Sequence, residues 1–211
     1  MQPFTTHTGV ALPLDEANVD TNQLCPTRFN KVPRGPKYRE ILFHDQRFDG
    51  EGRPKGFILD RPPYDRTSVI VGDANFGCGS SRETAVYALY EFGVRCVIAP
   101  SFGDIFAANC AKNGLLALTL PEAECAAIRR QLAARPGASV TVDLAAQTVT
   151  DPESGVHRFE IHPVRKNSLL KGLDDIARTE EYRGRIEAFE ARHRAVHPWF
   201  FASPPERKPG T

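Results

Sequence analysis

No stretch of this sequence approaches the ~20 apolar residues that a membrane-spanning helix needs, and the mean hydropathy is −0.37. A transmembrane protein is excluded on that ground. The first seven residues carry neither a basic start nor an apolar run, so no secretory leader is expected. An excess of one charge is also missing. Lys and Arg number 27 against 26 Asp and Glu, a net charge of +1, which gives no bulk attraction for nucleic acid or an anionic membrane. The five cysteines, Cys25, Cys78, Cys96, Cys110 and Cys125, contain no Cys-x-x-Cys pair. Zinc knuckles, thioredoxin-type motifs and most iron–sulfur sites need such a pair. These residues read instead as free thiols buried in a reducing compartment. The six histidines are scattered and read as surface or satisfied side chains, so no metal site is expected. Internal repeats and low-complexity tracts are lacking. What is left is a soluble, cytoplasmic protein of 211 residues, long enough to bury a core without disulfides or metal.

Turn formers fill 1–66, where Pro13, Pro26, Pro33, Pro36, Pro54, Pro62 and Pro63 stand. The expectation there is long loops on short strands. Within them Asn18-Val19-Asp20-Thr21-Asn22 stands out, although Asp and Thr also make ordinary Asx and ST turns. From 67 to 120 the pattern changes. Residues 68–72 and 95–99 predict buried strands. The helix between them places Ala85, Val86, Leu89, Tyr90 and Phe92 at helical spacing and stops at Gly93. Strand, helix and strand at this spacing make a βαβ unit with a parallel pair. A second helix is expected over 102–112, capped by Ser101, and a third strand over 115–120. Residues 122–134 predict an amphipathic helix burying Cys125, Ile128 and Leu132. A strand over 139–144, a hairpin of 147–150 with 156–161, and a last helix over 179–194 complete the reading. One domain over 1–200 and a disordered tail over 201–211 are expected.

The segment Gly77-Cys78-Gly79-Ser80-Ser81-Arg82-Glu83 carries the chemistry. One reading of it is purely structural: Ser80 and Glu83 have the spacing of a capping box, and the glycines permit the turn before it. The other reading is a ligand site. A helix N-terminus offers free N–H groups and partial positive charge to an anion. Arg82 opposes that dipole, so helix stability does not explain it. A docked carboxylate does, because the guanidinium fork binds it through two hydrogen bonds. A serine whose alkoxide is stabilised by the dipole and nearby cations can take a proton. The segment is neither a Walker phosphate loop nor a Gly-x-Ser-x-Gly elbow.

Asn75-Phe76-Gly77-Cys78-Gly79-Ser80-Ser81-Arg82-Glu83, with Asn18-Val19-Asp20-Thr21 and Pro26, resembles the motifs of the aconitase-type swivel-domain family. Val97-Ile98-Ala99-Pro100-Ser101-Phe102 and Gly172-Leu173-Asp174-Asp175-Ile176 are similar to its later blocks. Over residues 4–200 the order of blocks resembles the small subunits of 3-isopropylmalate dehydratases. That resemblance implies an α/β fold, a three-layer β/β/α swivel domain that forms half of a hydro-lyase. It implies interconversion of 2-isopropylmalate and 3-isopropylmalate through 2-isopropylmaleate, in leucine biosynthesis. It also implies a partner large subunit with a [4Fe-4S] cluster, in a heterodimer or heterotetramer, no cofactor on this chain, and a small dicarboxylate substrate. By the same resemblance Ser80 is the catalytic base and Asp20 a second catalytic residue, while Ser81, Arg82 and Thr21 bind substrate.

Asn22 and Thr84 depart from the family's common residues. Arg28, Lys31 and Arg34 lie where the family holds its substrate-reading loop and would suit an additional carboxylate. Exposed charges of this kind more often stay solvated or meet a partner. Three other readings therefore stand beside the first: a paralogous dehydratase acting on a citraconate- or dimethylmalate-type acid, a non-catalytic carboxylate-binding module, and a stand-alone serine hydrolase.

Overall fold

The computed structural model describes residues 1–201, in two compact units, 1–174 and from Asp175 onward. In the first unit, β1 (Thr6–Pro13) leads through α1 (Thr21–Leu24), α2 (Tyr38–Ile41) and α3 (His44–Arg47) to β2 (Val69–Val71). Next come α4 (Glu83–Phe92), β3 (Cys96–Ala99), α5 (Asp104–Lys112), β4 (Leu116–Thr119) and α6 (Glu122–Ala134). The unit closes with β5 (Ser139–Asp143), β6 (Thr148–Thr150), β7 (Val156–Arg158) and α7 (Pro163–Lys171). Its seven strands form one sheet in the order β4-β3-β2-β1-β5-β6-β7.

Helical crossovers keep β2, β3 and β4 parallel to β1. Tight connections make β5, β6 and β7 alternate in direction, as short turns must. Alternate residues of the parallel strands face two separate cores. Leu12, Ile70 and Val97 meet Val86 and Leu89 of α4 and Phe106 of α5. Ala11, Val69 and Ile98 meet Ile128 and Leu132 of α6, together with Val140, Val142 and Val149 of the antiparallel strands. The sheet therefore curls so that its antiparallel half shares a core with its parallel half. This is the expected α/β fold, a β/β/α swivel domain. Burial on both faces is why β2 and β3 read as unbroken Val/Ile runs.

Four expectations fail, each for a local reason. First, the strand within 1–66 is not a short one: β1 runs to eight residues and is the joint between the two halves of the sheet. A Cβ on Gly9 would fall 1.8 Å from Ser68 Oγ. Glycine permits that approach and also erases the alternation that announces a strand. Second, the Ser80–Glu83 capping box does not form. Helix α4 starts at Glu83 with Arg82 as N-cap and no side-chain cap, and Glu83 Oε1 instead accepts from Asn113 Nδ2 at 2.7 Å. Third, Ser101 does not cap α5, whose N-cap is Gly103; Ser101 Oγ accepts from Asn75 N at 2.8 Å. Fourth, the last helix is two, α8 (Asp175–Glu180) and α9 (Arg183–Val196), which make up most of the second unit. Helix α7 had no expectation attached. Residues 202–211, where most of the disordered tail was expected, lie outside the described residues. Among the described residues no helix is long and apolar enough to cross a membrane.

Candidate active site

The chain leaves β1 and β2 at the carboxyl ends of neighbouring parallel strands, where open α/β sheets gather ligands. Cross-links hold these two loops side by side. Asn18 N donates to Ala74 O at 2.9 Å and Gly77 N to Val19 O at 2.7 Å. Asn75 Nδ2 donates to Asn18 Oδ1 at 2.8 Å, and Thr21 N to Cys78 O at 3.0 Å. Asp20 pairs with Cys78 as an isolated parallel bridge. The two motifs singled out in sequence thus lie together. Gly77 makes the turn possible: its φ is +72° and a Cβ there would sit 2.2 Å from the Phe106 ring, so a side chain is excluded on both counts.

Asp20 caps α1. Its Oδ1 accepts from Asn22 N at 2.7 Å and Gln23 N at 2.8 Å, while Gln23 Oε1 accepts from Asp20 N at 2.6 Å. The capping box of this protein is here, with Gln23 three residues after the cap. Both bonds to the carboxylate use Oδ1, and Oδ2 has no partner among the described residues. Thr21 is buried, and its Oγ1 donates to Ser80 O at 2.9 Å, which fixes the serine's backbone from the opposite loop. Ser80 and Ser81 are exposed, and their hydroxyls have no partner among the described residues. No histidine meets either one there, so the assisted nucleophile of a serine hydrolase is not assembled.

Arg82 is half-buried, and its Nη1 donates to Asn22 Oδ1 at 2.9 Å. The same oxygen accepts from Thr27 N at 3.1 Å and Thr27 Oγ1 at 3.0 Å. A neutral amide therefore orients Arg82 without cancelling its charge. The first turn of α4 has no side-chain cap and adds its partial positive charge. An exposed pair of hydroxyls beside an uncompensated guanidinium and an open helix start is a place for a carboxylate.

The loop bearing Arg28, Lys31 and Arg34 is tied to this site by Asn22–Thr27 and by Thr84 Oγ1, which donates to Asn30 Oδ1 at 3.0 Å. Arg28 grips Asp45 through both Nη atoms, and the bond to Arg28 holds the Asp45 carboxyl below the usual range. Arg34 donates to Glu91 at 3.1 Å and Asn113 at 2.9 Å and lies 4.6 Å from the centre of the Tyr87 ring. Lys31 is exposed and has no partner among the described residues. Two of the three cations are thus engaged within the chain. Beside them Phe29, Val32, Ile41 and Phe48, with Lys37 and His44, line a pocket of about 350 Å³. Its lining is scattered over turns and short helices between 29 and 52, so no periodic signal marked it.

Cys25, Cys96, Cys110 and Cys125 are buried, and Cys78 is half-exposed. Burial pushes the Cys25, Cys96 and Cys110 thiols up and Cys125 up to about 11, which makes them poor ligands and nucleophiles. Among the described residues no three His, Cys, Asp or Glu side chains form a metal-holding group. The described side chains therefore gather no ligand set for an iron–sulfur cluster.

The model of the aconitase C-terminal domain family matches residues 1–123. The family model described as LeuD_N matches 126–163, and the one described as the C-terminal domain of the 3-isopropylmalate dehydratase small subunit matches 181–203. Among solved structures, a 3-isopropylmalate dehydratase (leuD) from Methanocaldococcus jannaschii superposes with a TM-score of 0.61 at 24% identity. The match covers 88% of this chain and 99% of that one, a likeness of fold.

Proposed function

Because the chain belongs to the aconitase C-terminal domain family, we propose that it acts as the small subunit of a 3-isopropylmalate dehydratase in leucine biosynthesis. Both units serve one subunit in this reading, since the family models match segments of each. The observation that carries it is the junction of the Asp20–Thr21 loop with the Ser80–Arg82 loop. That junction presents a free hydroxyl and an uncompensated guanidinium on one exposed surface.

Arg82 takes one carboxylate of the substrate through its fork, and the Ser81 hydroxyl and the N–H groups at the start of α4 add hydrogen bonds. Ser80 Oγ, as the alkoxide, removes the proton from the carbon next to the one that bears the hydroxyl. The C–H electron pair becomes the π bond of the alkene as the C–O bond breaks, and the departing hydroxide takes a proton from an acid of the assembled site, the role proposed for Asp20 in its protonated form, to leave as water. Re-addition of water with the hydroxyl on the neighbouring carbon gives the isomer. Arg82 and the α4 dipole stabilise the serine alkoxide. Thr21 holds the Ser80 backbone, and Asp20, paired with Cys78 across the same two loops and with no bond to its Oδ2 among the described residues, is proposed as a second acid–base group. The partner in this reading is a large subunit, in a cytoplasmic heterodimer or heterotetramer, and a [4Fe-4S] cluster held there would supply Lewis-acid chemistry toward the substrate hydroxyl. The engagement of Arg28 and Arg34 and the apolar pocket beside them favour an alkyl substituent over an extra carboxylate.

The test is anaerobic co-expression with the candidate large subunit and an absorbance assay for alkene formation from 3-isopropylmalate, with citraconate- and dimethylmalate-type acids in parallel. The reading expects activity with 3-isopropylmalate and only with both chains. A clear preference for another acid would reassign the substrate and keep the mechanism. Carboxylate binding with no turnover by an assembled, cluster-loaded complex would leave a binding module.

A further inference from the structure

Helix α6 lies on the opposite face of the sheet from α4 and α5. To pack there it needs only its apolar stripe of Cys125, Ile128 and Leu132. It also carries Arg129, whose side chain is 9% exposed. The Arg129 guanidinium reaches three places. Nε donates to Asp15 Oδ1 at 3.0 Å, Nη1 to Gly72 O at 2.6 Å, and Nη2 to Asp73 Oδ2 at 3.1 Å. Asp15 stands five residues before Asp20, and Asp73 five before Cys78. Asp20 and Cys78 are themselves paired across the two loops. One cation therefore closes the root of a ladder whose rungs are Asn18–Ala74, Asn18–Asn75 and Val19–Gly77. The far end of that ladder bears Asp20, Thr21 and Ser80.

We propose that Arg129 is a positioning residue for this site, setting the register of the two loops from the far side of the sheet. The idea rests on the function proposed above only where turnover is concerned. Burying a guanidinium is costly, and both carboxylates must be in place to offset it. Asp15 is 82% exposed, so water would otherwise hold it and that loop would lack an anchor. An anchor for α6 alone needs one partner. The contacts here are divided between two loops, each five residues ahead of one member of the Asp20–Cys78 bridge.

The test uses full-length Arg129→Gln and Arg129→Lys. Cys78 is a built-in reporter, because the other four thiols are buried. Arg129→Gln is expected to speed modification of Cys78 by a thiol reagent about tenfold and to raise hydrogen exchange in 14–21 and 72–82, with the strands unchanged. In the assembled enzyme kcat falls roughly 10²-fold, as misplacement by an ångström does, while KM moves less. Arg129→Lys restores part of both effects. If Arg129→Gln does not fold, Asp73→Asn takes its place and is expected to loosen the same two loops. Wild-type rates at Cys78 and in both loops would overturn the proposal, as would a loss of protection spread evenly over the sheet. The thiol and exchange readouts need no turnover, so they stand apart from any failure of the proposed function.

Discussion

Asp20 carries one observed duty, the cap of α1, and one proposed, in catalysis, and a pair of substitutions separates them. As an N-cap it needs only a side-chain oxygen, and Asn caps as well as Asp. As a catalytic group it needs a carboxyl that exchanges a proton at Oδ2. Asp20→Asn is therefore expected to keep thermal stability within about 0.5 kcal/mol and to lose turnover, whereas Asp20→Ala loses both, with about 1 kcal/mol from the cap. Equal turnover in Asp20→Asn and wild type, measured beside melting curves, would reduce Asp20 to a cap. Asn22 is the second telling residue. Replacing its amide with a carboxylate keeps an acceptor for Arg82 and Thr27 but neutralises the guanidinium. Asn22→Asp should raise KM for a dicarboxylate about tenfold, a loss near 1.4 kcal/mol of binding, and change kcat less. An unchanged KM would mean that Arg82 does not hold the substrate.

At the scale of elements, the sequence displayed what repetition and burial write plainly. The βαβ unit, α6 and the β6–β7 hairpin follow from Val/Ile runs, helical spacing and turn residues, and all are present. Caps were less legible because several Ser, Thr and Asp residues compete for each helix start. Ser80 and Ser101 have suitable spacings but each stands three residues ahead of the helix it was expected to cap. The turn-rich stretch before β2 hid β1 because His7 and Gly9, opposite the buried Val142 and Val140, stand where an alternating strand shows large apolar residues. Site residues that sit in motifs were readable. Arg129 was not, since its role comes from contacts with two loops far away in the chain. His157 was hidden in the same way. It joins β7 to α6, with Nδ1 2.6 Å from Glu124 Oε2 and Nε2 3.1 Å from Asp151 Oδ2. Burial acts to lower its pKa, but the bonds to Asp151 and Glu124 outweigh that and raise it above the ordinary 6.5. For Asp151 burial acts upward, and the bonds from His157, Gln131 and the Gly155 and Glu153 N–H groups hold it below the ordinary 3.8. The imidazolium's contribution is thus full below pH 6.5 and fades as pH rises through its higher folded value. The Asp151 contribution is full above pH 3.8 and fades as pH falls through its lower one. Wild type should lose stability between pH 6 and pH 9 through this contact, and His157→Gln should lack that loss. Denaturant midpoints at the two pH values decide it, and an identical pH dependence in the variant would contradict the assignment.

At the scale of the molecule, the sheet joins a parallel half to an antiparallel half at β1, and the site grows from the loops at that joint. The exposed Ser80 and the half-buried, uncompensated Arg82 suit a site that, in the proposed function, another chain covers. Composition alone gave the size, the absence of spanning helices and the lack of a bulk charge. The motifs gave the family, because the two blocks are specific only when taken together. The central claim is that Ser80 is the base of an enzyme completed by a second chain. The measurement that tests it is turnover of 3-isopropylmalate by the anaerobically assembled complex, wild type against Ser80→Ala, with complex formation and cluster content verified in each. The account predicts a loss of at least about 10³-fold in turnover with melting temperature unchanged, because the hydroxyl caps nothing and bonds to nothing among the described residues. Turnover within a few-fold of wild type in a variant with full cluster content would contradict it.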